Sequence, residues 1–129
     1  MFDQLYSPEA LLAQMTAGHT FVLAESEGVL LGFASFSPTD PTNAAFKLQK
    51  IYVLPSTQGT GLGKQLLAEV ENRCRALGGT SLILNVNRDN WARVFYEKQG
   101  FQIDHEEDVP IGPYWMNDYV MRKPLAFPQ

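Results

Sequence analysis

Apolar positions along the chain follow two periods, and the switches between them outline the elements. SPEALLAQMTAG reads as a short helix, with Ser7 as N-cap, Pro8 at the first helical position and Gly18 as its stop. FVLAES and VLLGFASF then read as two strands joined at Glu27-Gly28, a tight hairpin signal. SPTDPTN is a loop by composition. In AAFKLQKIYVLP, strict alternation puts Phe46, Leu48, Lys50 and Tyr52 on one face and Lys47, Gln49, Ile51 and Val53 on the other, and Pro55 ends the strand.

Helical spacing takes over at Leu62, Leu66, Val70, Cys74 and Leu77, while Lys64, Glu71, Arg73 and Arg75 fall mostly elsewhere on the wheel. This amphipathic helix should stop at Gly78-Gly79. TSLILNV is a continuous apolar strand, and NWARVFYEKQ is a second helix closed by Gly100. FQIDHEE and YWMNDYVMRK read as the last strands, separated by a DVPIGP loop. Strands alternate with helices only in the middle of the chain, and both ends are hairpin-like. The expected class is therefore α/β, a mixed sheet with helices on its faces rather than a doubly wound fold.

Length and composition narrow what such a fold can do. The 129 residues suit a single domain over 1–129, with 45% hydrophobic and 19% charged side chains, as in an ordinary globular protein. A net charge of -4 argues against a partner held by phosphate neutralisation, so no nucleic acid is expected. No apolar run approaches the roughly 20 residues of a membrane span, and the N-terminus has no basic export region. Cys74 alone can form neither an internal disulfide nor a zinc site, which fits a reducing compartment, with the cytoplasm as the default. It lies on the apolar stripe of the long helix and reads as core, not as a nucleophile. With two histidines, one of them His19 in a turn, and no Cys-His cluster, no metal is expected.

QGTGLGK, Gln58 to Lys64, is the segment with chemical promise, because it joins a strand to a helix. A Walker A loop would need glycine at 58 and a hydroxyl after the lysine, where Gln58 and Gln65 stand. A dinucleotide fingerprint would need G-x-G-x-x-G and an acid ending the next strand, yet the glycines are Gly59, Gly61 and Gly63 and that strand ends in Asn85, Val86 and Asn87. What remains is a glycine-rich turn at a helix N-terminus, where unpaired N–H groups favour an anion. The same pattern also suits a flexible turn with no ligand.

V-L-P-x-x-Q-G-x-G-L-G-K-x-L-L, Val53 to Leu67, resembles the acetyl-CoA binding motif of the GNAT superfamily of N-acetyltransferases, whose core Q/R-x-x-G-x-G/A is here Gln58, Gly61 and Gly63. The family's second motif is matched by N-W-A-R-V-F-Y-E-K-Q-G-F, Asn90 to Phe101. The resemblance runs from about Phe21 to Leu125. It implies a GNAT-type acyl-CoA N-acyltransferase fold, with a mostly antiparallel mixed sheet flanked by helices. Only one helix is read before the first hairpin, so the family's first strand and helix are expected to be lacking here.

The resemblance further implies acetyl-CoA as cofactor. The strand before the loop would splay from the next parallel strand, so that the main chain of Ile51, Tyr52 and Val53 faces the acetyl-pantetheine arm, with the Val53 N–H polarising the thioester carbonyl. Gln58, Gly59, Thr60, Gly61, Leu62, Gly63 and Lys64 would hold the pyrophosphate. Tyr96 matches the family tyrosine that protonates the departing sulfur, a task suited to a phenol with a pKa of about 10. Asn90 matches an asparagine near the pantetheine and is also a plain helix N-cap, while Phe95 lines either the cofactor or the core. Metal plays no part.

The implied reaction is acetyl transfer by direct attack of a primary amine, borne by a small molecule (polyamine-like or amino-acid-like) or a peptide. Many family members carry a glutamate base on the strand before the loop, where Lys47 and Gln49 stand here. His105, Glu106 and Glu107 are candidate substitutes, although a solvated charged turn is the preferred reading of them. The run Asp104 to Asp108 could attract a polyamine. The ending G-P-Y-W-M-N-D-Y-V-M-R-K-P-L is similar to the last strand of the polyamine-acetyltransferase branch, with Tyr114 and Trp115 walling an acceptor pocket. A homodimer through these C-terminal strands is compatible with the sequence, although nothing in it requires one. The alternative function is a non-catalytic acyl-CoA binding or regulatory module that keeps the cofactor cleft.

Overall fold

A computed structural model describes residues 18–39 and 44–125. The helix expected over SPEALLAQMTAG lies, except for Gly18, outside the described residues. Strands β1 (Thr20–Ser26) and β2 (Val29–Pro38) form the expected hairpin. Its two turn residues, Glu27 and Gly28, have φ of 53° and 79°, the left-handed pair that matches strand twist. Strand β3 (Ala45–Val53) leads through a 3-10 turn, Pro55–Thr57, and the glycine segment into helix α1 (Leu62–Ala76). Strand β4 (Ser81–Asn87), helix α2 (Ala92–Lys98), β5 (Gln102–Ile111) and β6 (Tyr114–Pro124) follow.

The six strands make one mixed sheet in the order β1-β2-β3-β4-β6-β5. Every neighbouring pair is antiparallel except β3 and β4, which the α1 crossover makes parallel. The main core cluster lies on one face: Leu66, Leu67, Val70 and Cys74 of α1 pack on Phe46, Leu48, Leu82 and Leu84, and α2 adds Tyr96. Gly79 ends the crossover where a methyl would come within 2.7 Å of the Phe46 ring, so only glycine lets the chain turn under that ring. Cys74 is fully buried; burial first, and then the nearby Glu71 carboxylate, push its thiol up to about 12. Glu71 is itself buried and is met by Lys123 Nζ at 2.9 Å, which ties α1 to β6.

Three expectations need correction. Strict alternation along β3 fails at Gln49: Ser35 pairs with Lys50 and Phe36 with Leu48, so Gln49 is the extra residue of a β-bulge. Phe46, Leu48, Ile51 and Val53 therefore share the core face, and Lys50 and Tyr52 turn to the other. DVPIGP is not a loop either. β5 runs through Val109, Pro110 and Ile111, and only Gly112 and Pro113 turn the chain. Pro110 is tolerated because β5 is the sheet edge and its missing N–H has no partner to lose on the outer side. Leu77, placed on the apolar stripe by spacing, follows the last turn of α1 and is exposed. Among the described residues, no helix is long and apolar enough to cross a membrane.

Candidate functional site

The parallel pair holds for only three rungs, Ala45 with Ser81, Phe46 with Leu82 and Lys47 with Ile83. Beyond these the strands part. β3 continues on β2 to Val53, and β4 continues on β6 to Asn87, so a wedge opens inside the sheet toward the C-terminal ends of both strands. At the end of β3 the wedge meets the glycine segment. Gly59 and Gly61 have φ of 84° and 86°, conformations that side chains resist, and Gly61 forms the N-cap of α1 without any side-chain cap hydrogen bond. The first turn of α1 carries no acidic side chain, so its N–H groups present an uncontested positive dipole end.

Val53, Gln58, Gly59, Gly61, Leu62, Gly63, Lys64 and Phe95 border one groove of about 300 Å³ together with Thr57. Lys64 brings the only ionic charge to this lining. Thr57 had no separate signal in the sequence; its hydroxyl donates to the Leu54 carbonyl at 2.9 Å and steadies the turn that aims Gln58. Thr60 stands on the exposed crest of the same turn, donating from its hydroxyl to the Thr57 carbonyl. Phe95 belongs both to this groove and to the margin of the core.

Tyr96 is 8% exposed, with its ring edge-on to Phe95 at 5.3 Å and to Phe101 at 5.8 Å. Loss of solvation holds its phenol above the ordinary tyrosine range, so it keeps its proton throughout neutral pH. Such a group can give a proton to a strong base that forms beside it. Asn90 stands apart from the groove. Its Oδ1 accepts the Ala92 N–H at 2.8 Å, as a helix cap does, and it borders a separate hollow of about 250 Å³ with Arg88, Trp91 and Arg93. Ile51 leans on the core face, and Tyr52, on the opposite face, stacks on Phe33 at 5.9 Å.

No carboxylate occupies the β3 positions read as vacant: Gln49 donates to the Ser37 hydroxyl at 3.0 Å. His105, Glu106 and Glu107 lie on β5, not in a turn, and alternate across the hairpin. Glu106 is engaged by Arg88 at 2.9 Å, while His105 Nδ1 lies 2.7 Å from Asp104 and its Nε2 lies 3.8 Å from Glu107. Arg122 also reaches Asp104, at 3.5 Å. Asp104 and Glu106 are thus each met by an arginine, Arg122 and Arg88 respectively. Tyr114 and Trp115 lie at the outer end of β6, where Tyr114 to Met116 are paired with β5 and not with β4.

The chain is similar to an uncharacterized N-acetyltransferase of Mycobacterium tuberculosis, 33% identical over 104 residues that cover 80% of this chain and 65% of the relative. It thus spans just under two thirds of the curated relatives it matches. An acetyltransferase of the GNAT family from Desulfovibrio desulfuricans has a similar structure, with a TM-score of 0.78 and 29% identity over 94% of this chain and 84% of that one. The PaiA N-acetyltransferase of Thermoplasma acidophilum, solved in complex with coenzyme A, superposes with a TM-score of 0.72 at 29% identity, covering 95% of this chain and 74% of its own. The profile of the acetyltransferase (GNAT) domain matches residues 1–114, nearly the whole of the chain in which the wedge and its glycine turn are built. Sequence and architecture agree, and the chain belongs to the GNAT acetyltransferase family.

Proposed function

We propose that this chain is an acetyl-CoA-dependent N-acetyltransferase that moves an acetyl group to a primary amine of a small molecule or peptide by direct attack. The observation that carries the reading is the wedge between β3 and β4 ending on an uncapped helix N-terminus, with one groove running from Val53 past Gln58 to Lys64. A similar protein solved with coenzyme A supports the choice of cofactor.

Acetyl-CoA, when bound, supplies an activated acetyl thioester. Gln58, Gly59, Thr60, Gly61, Leu62, Gly63 and Lys64 hold its pyrophosphate through main-chain N–H groups, the α1 dipole and the lysine charge. The main chain of Ile51, Tyr52 and Val53 lies along the acyl arm, and the Val53 N–H stabilises charge on the carbonyl oxygen. Phe95 would shield the arm from water, and Tyr96 would be the group that supplies a proton to the departing sulfur. Asn90 acts on the arm indirectly, by fixing the start of α2. The same reading puts the protein in the cytoplasm, given its single buried thiol, and places self-association at the β5–β6 hairpin, whose end exposes Ile111, Tyr114, Trp115 and Met116.

A second reading, a non-catalytic acyl-CoA binding module, draws support from the lack of a carboxylate at Lys47 and Gln49. Thiol release from acetyl-CoA across a panel of amines, run beside calorimetric titration with coenzyme A, separates the two. Turnover with any amine establishes the enzyme. Tight coenzyme A binding without turnover favours the module, and no binding refutes both.

A further inference from the structure

The two faces of the wedge differ in what they admit. On one face Leu62 and Phe95 close over it, with Ile51, Val53, Leu84 and Val86 packed beneath them in the core. An amine that attacks an acyl carbon held beside Val53 must therefore arrive from the other face. There β3 offers Tyr52, stacked on Phe33 with ring planes 11° apart. Past these rings, toward the end of the strand, lies a hollow of about 90 Å³ lined by Leu30, Gly32, Phe33, Tyr52 and Leu54.

Carbon dominates this lining. None of the five residues is charged, and the Tyr52 hydroxyl is their only side-chain heteroatom. The main chain at its rim is already satisfied, since the Leu54 N–H donates to the Leu31 carbonyl at 2.8 Å. The floor is set by how closely β2 and β3 approach: a methyl on Gly32 would stand 2.6 Å from the Tyr52 carbonyl oxygen. Tyr52 and Leu54 flank Val53 in sequence, so the hollow opens one residue from the proposed reaction centre. A cationic group placed there would lose its water and find no counter-charge among the described residues of the lining.

Building on the acetyltransferase reading, we propose that this hollow is the acceptor-selecting pocket and that it takes an uncharged alkyl or aryl substituent carried near the attacking nitrogen. The acceptor class is then a primary amine with a short apolar side group, in preference to a polycation. A hollow of this size admits roughly three to five non-hydrogen atoms. Each methylene buried in it should improve the acceptor about fourfold.

The test is a homologous series, ethylamine to n-hexylamine with 1,4-diaminobutane for comparison, measured as kcat/KM and, independently of turnover, by calorimetric binding to the protein with and without coenzyme A. A rise of about fourfold per carbon that levels off near pentylamine is expected, with the diamine weaker than n-butylamine. Leu30→Trp should fill the hollow and flatten the series while leaving coenzyme A affinity within twofold; Leu30→Phe replaces it if the larger side chain does not fold. A flat series, a preference for the diamine, or an undiminished gradient in a folded filled variant overturns the pocket. So does a gradient that follows the acyl chain, from acetyl- to butyryl-CoA, and not the amine. Failure to bind coenzyme A removes the acetyltransferase reading instead, and amine binding to the protein alone still decides the pocket.

Discussion

Replacing Gly32 with alanine tests the geometry on which both proposals rest. The added methyl would lie 2.6 Å from the Tyr52 carbonyl oxygen and 3.3 Å from both Val53 Cα and Leu66 Cδ1. Ordinary contact with that oxygen begins near 3.4 Å, so β3 must move away by most of an ångström at the residues proposed to face the acyl arm. Overpacking of this kind costs about 1–3 kcal/mol, against about 0.5–1 kcal/mol gained from removing a flexible glycine within a strand. The net loss of about 1–2 kcal/mol should lower Tm by roughly 4–8 °C for a chain of this length. Coenzyme A affinity should fall with it, because Tyr52 and Val53 are displaced together. Thermal melts and calorimetry on Gly32→Ala read both quantities, with Gly63→Ala as control for the melts alone. A methyl on Gly63 meets Phe95 Cζ at 3.7 Å and Val53 Cγ2 at 3.8 Å, ordinary contacts, and gains helix propensity of up to about 1 kcal/mol. An unchanged or higher Tm in Gly32→Ala, with intact coenzyme A binding, would refute the close approach of β2 and β3.

Tyr96→Phe keeps the ring edge-on to Phe95 and Phe101, so stability should change by less than about 1 kcal/mol while turnover drops about 10²-fold or more at unchanged coenzyme A affinity; equal turnover removes the proton-donor role. Gly61→Ala forces a side chain into a φ of 86°, and both a stability loss of about 1 kcal/mol and weaker coenzyme A binding are expected from melts and calorimetry. The Cys74 thiol is raised to about 12 in the folded state, so the unfolded chain loses its proton first. The resulting stabilisation is complete below the ordinary thiol pKa of about 8.5 and is lost as pH rises toward about 12, at up to about 1.4 kcal/mol per pH unit. In urea titrations the stability advantage of the wild type over Cys74→Ala should therefore narrow between pH 7.5 and pH 10, and a constant gap would contradict the assignment. Lys123→Ala leaves buried Glu71 with only Arg75, 4.0 Å away, and should cost about 2–4 kcal/mol in the same urea assay.

Much of this fold could be read from contiguous signals. Glu27-Gly28, the α1 stripe through Leu66, Val70 and Cys74, and the Gly78-Gly79 stop are local features, and the structure keeps them. The bulge at Gln49 could not be read that way, because an extra residue is defined only against the partner strand, here Phe36 and Ser35. Nor could the strand character of Val109 to Ile111, since a proline breaks a strand only where its N–H would have been needed, and being on the edge is a property of the whole sheet. The groove follows the same rule. Its glycine side, Gln58 to Lys64, is consecutive in sequence and was legible, whereas the approach of Phe95 to Gly63 is a tertiary contact between two helices. The Leu30 and Phe33 side of the apolar hollow is set by β2–β3 register, which sequence periodicity does not encode.

The short β3–β4 ladder also bears on how the molecule holds together. With three rungs between them, β1-β2-β3 and β4-β6-β5 are two three-stranded blocks, joined chiefly by that ladder and by the α1 core that spans both. Beyond that ladder the coupling of the two blocks rests on the shared α1 core. A ligand lodged in the wedge and touching both blocks adds its binding free energy to their coupling, about 2.7 kcal/mol at a hundredfold excess over Kd. The incomplete ladder therefore ties the integrity of the sheet to whatever fills the wedge: under the proposed function, the two blocks are joined most firmly when acetyl-CoA is bound.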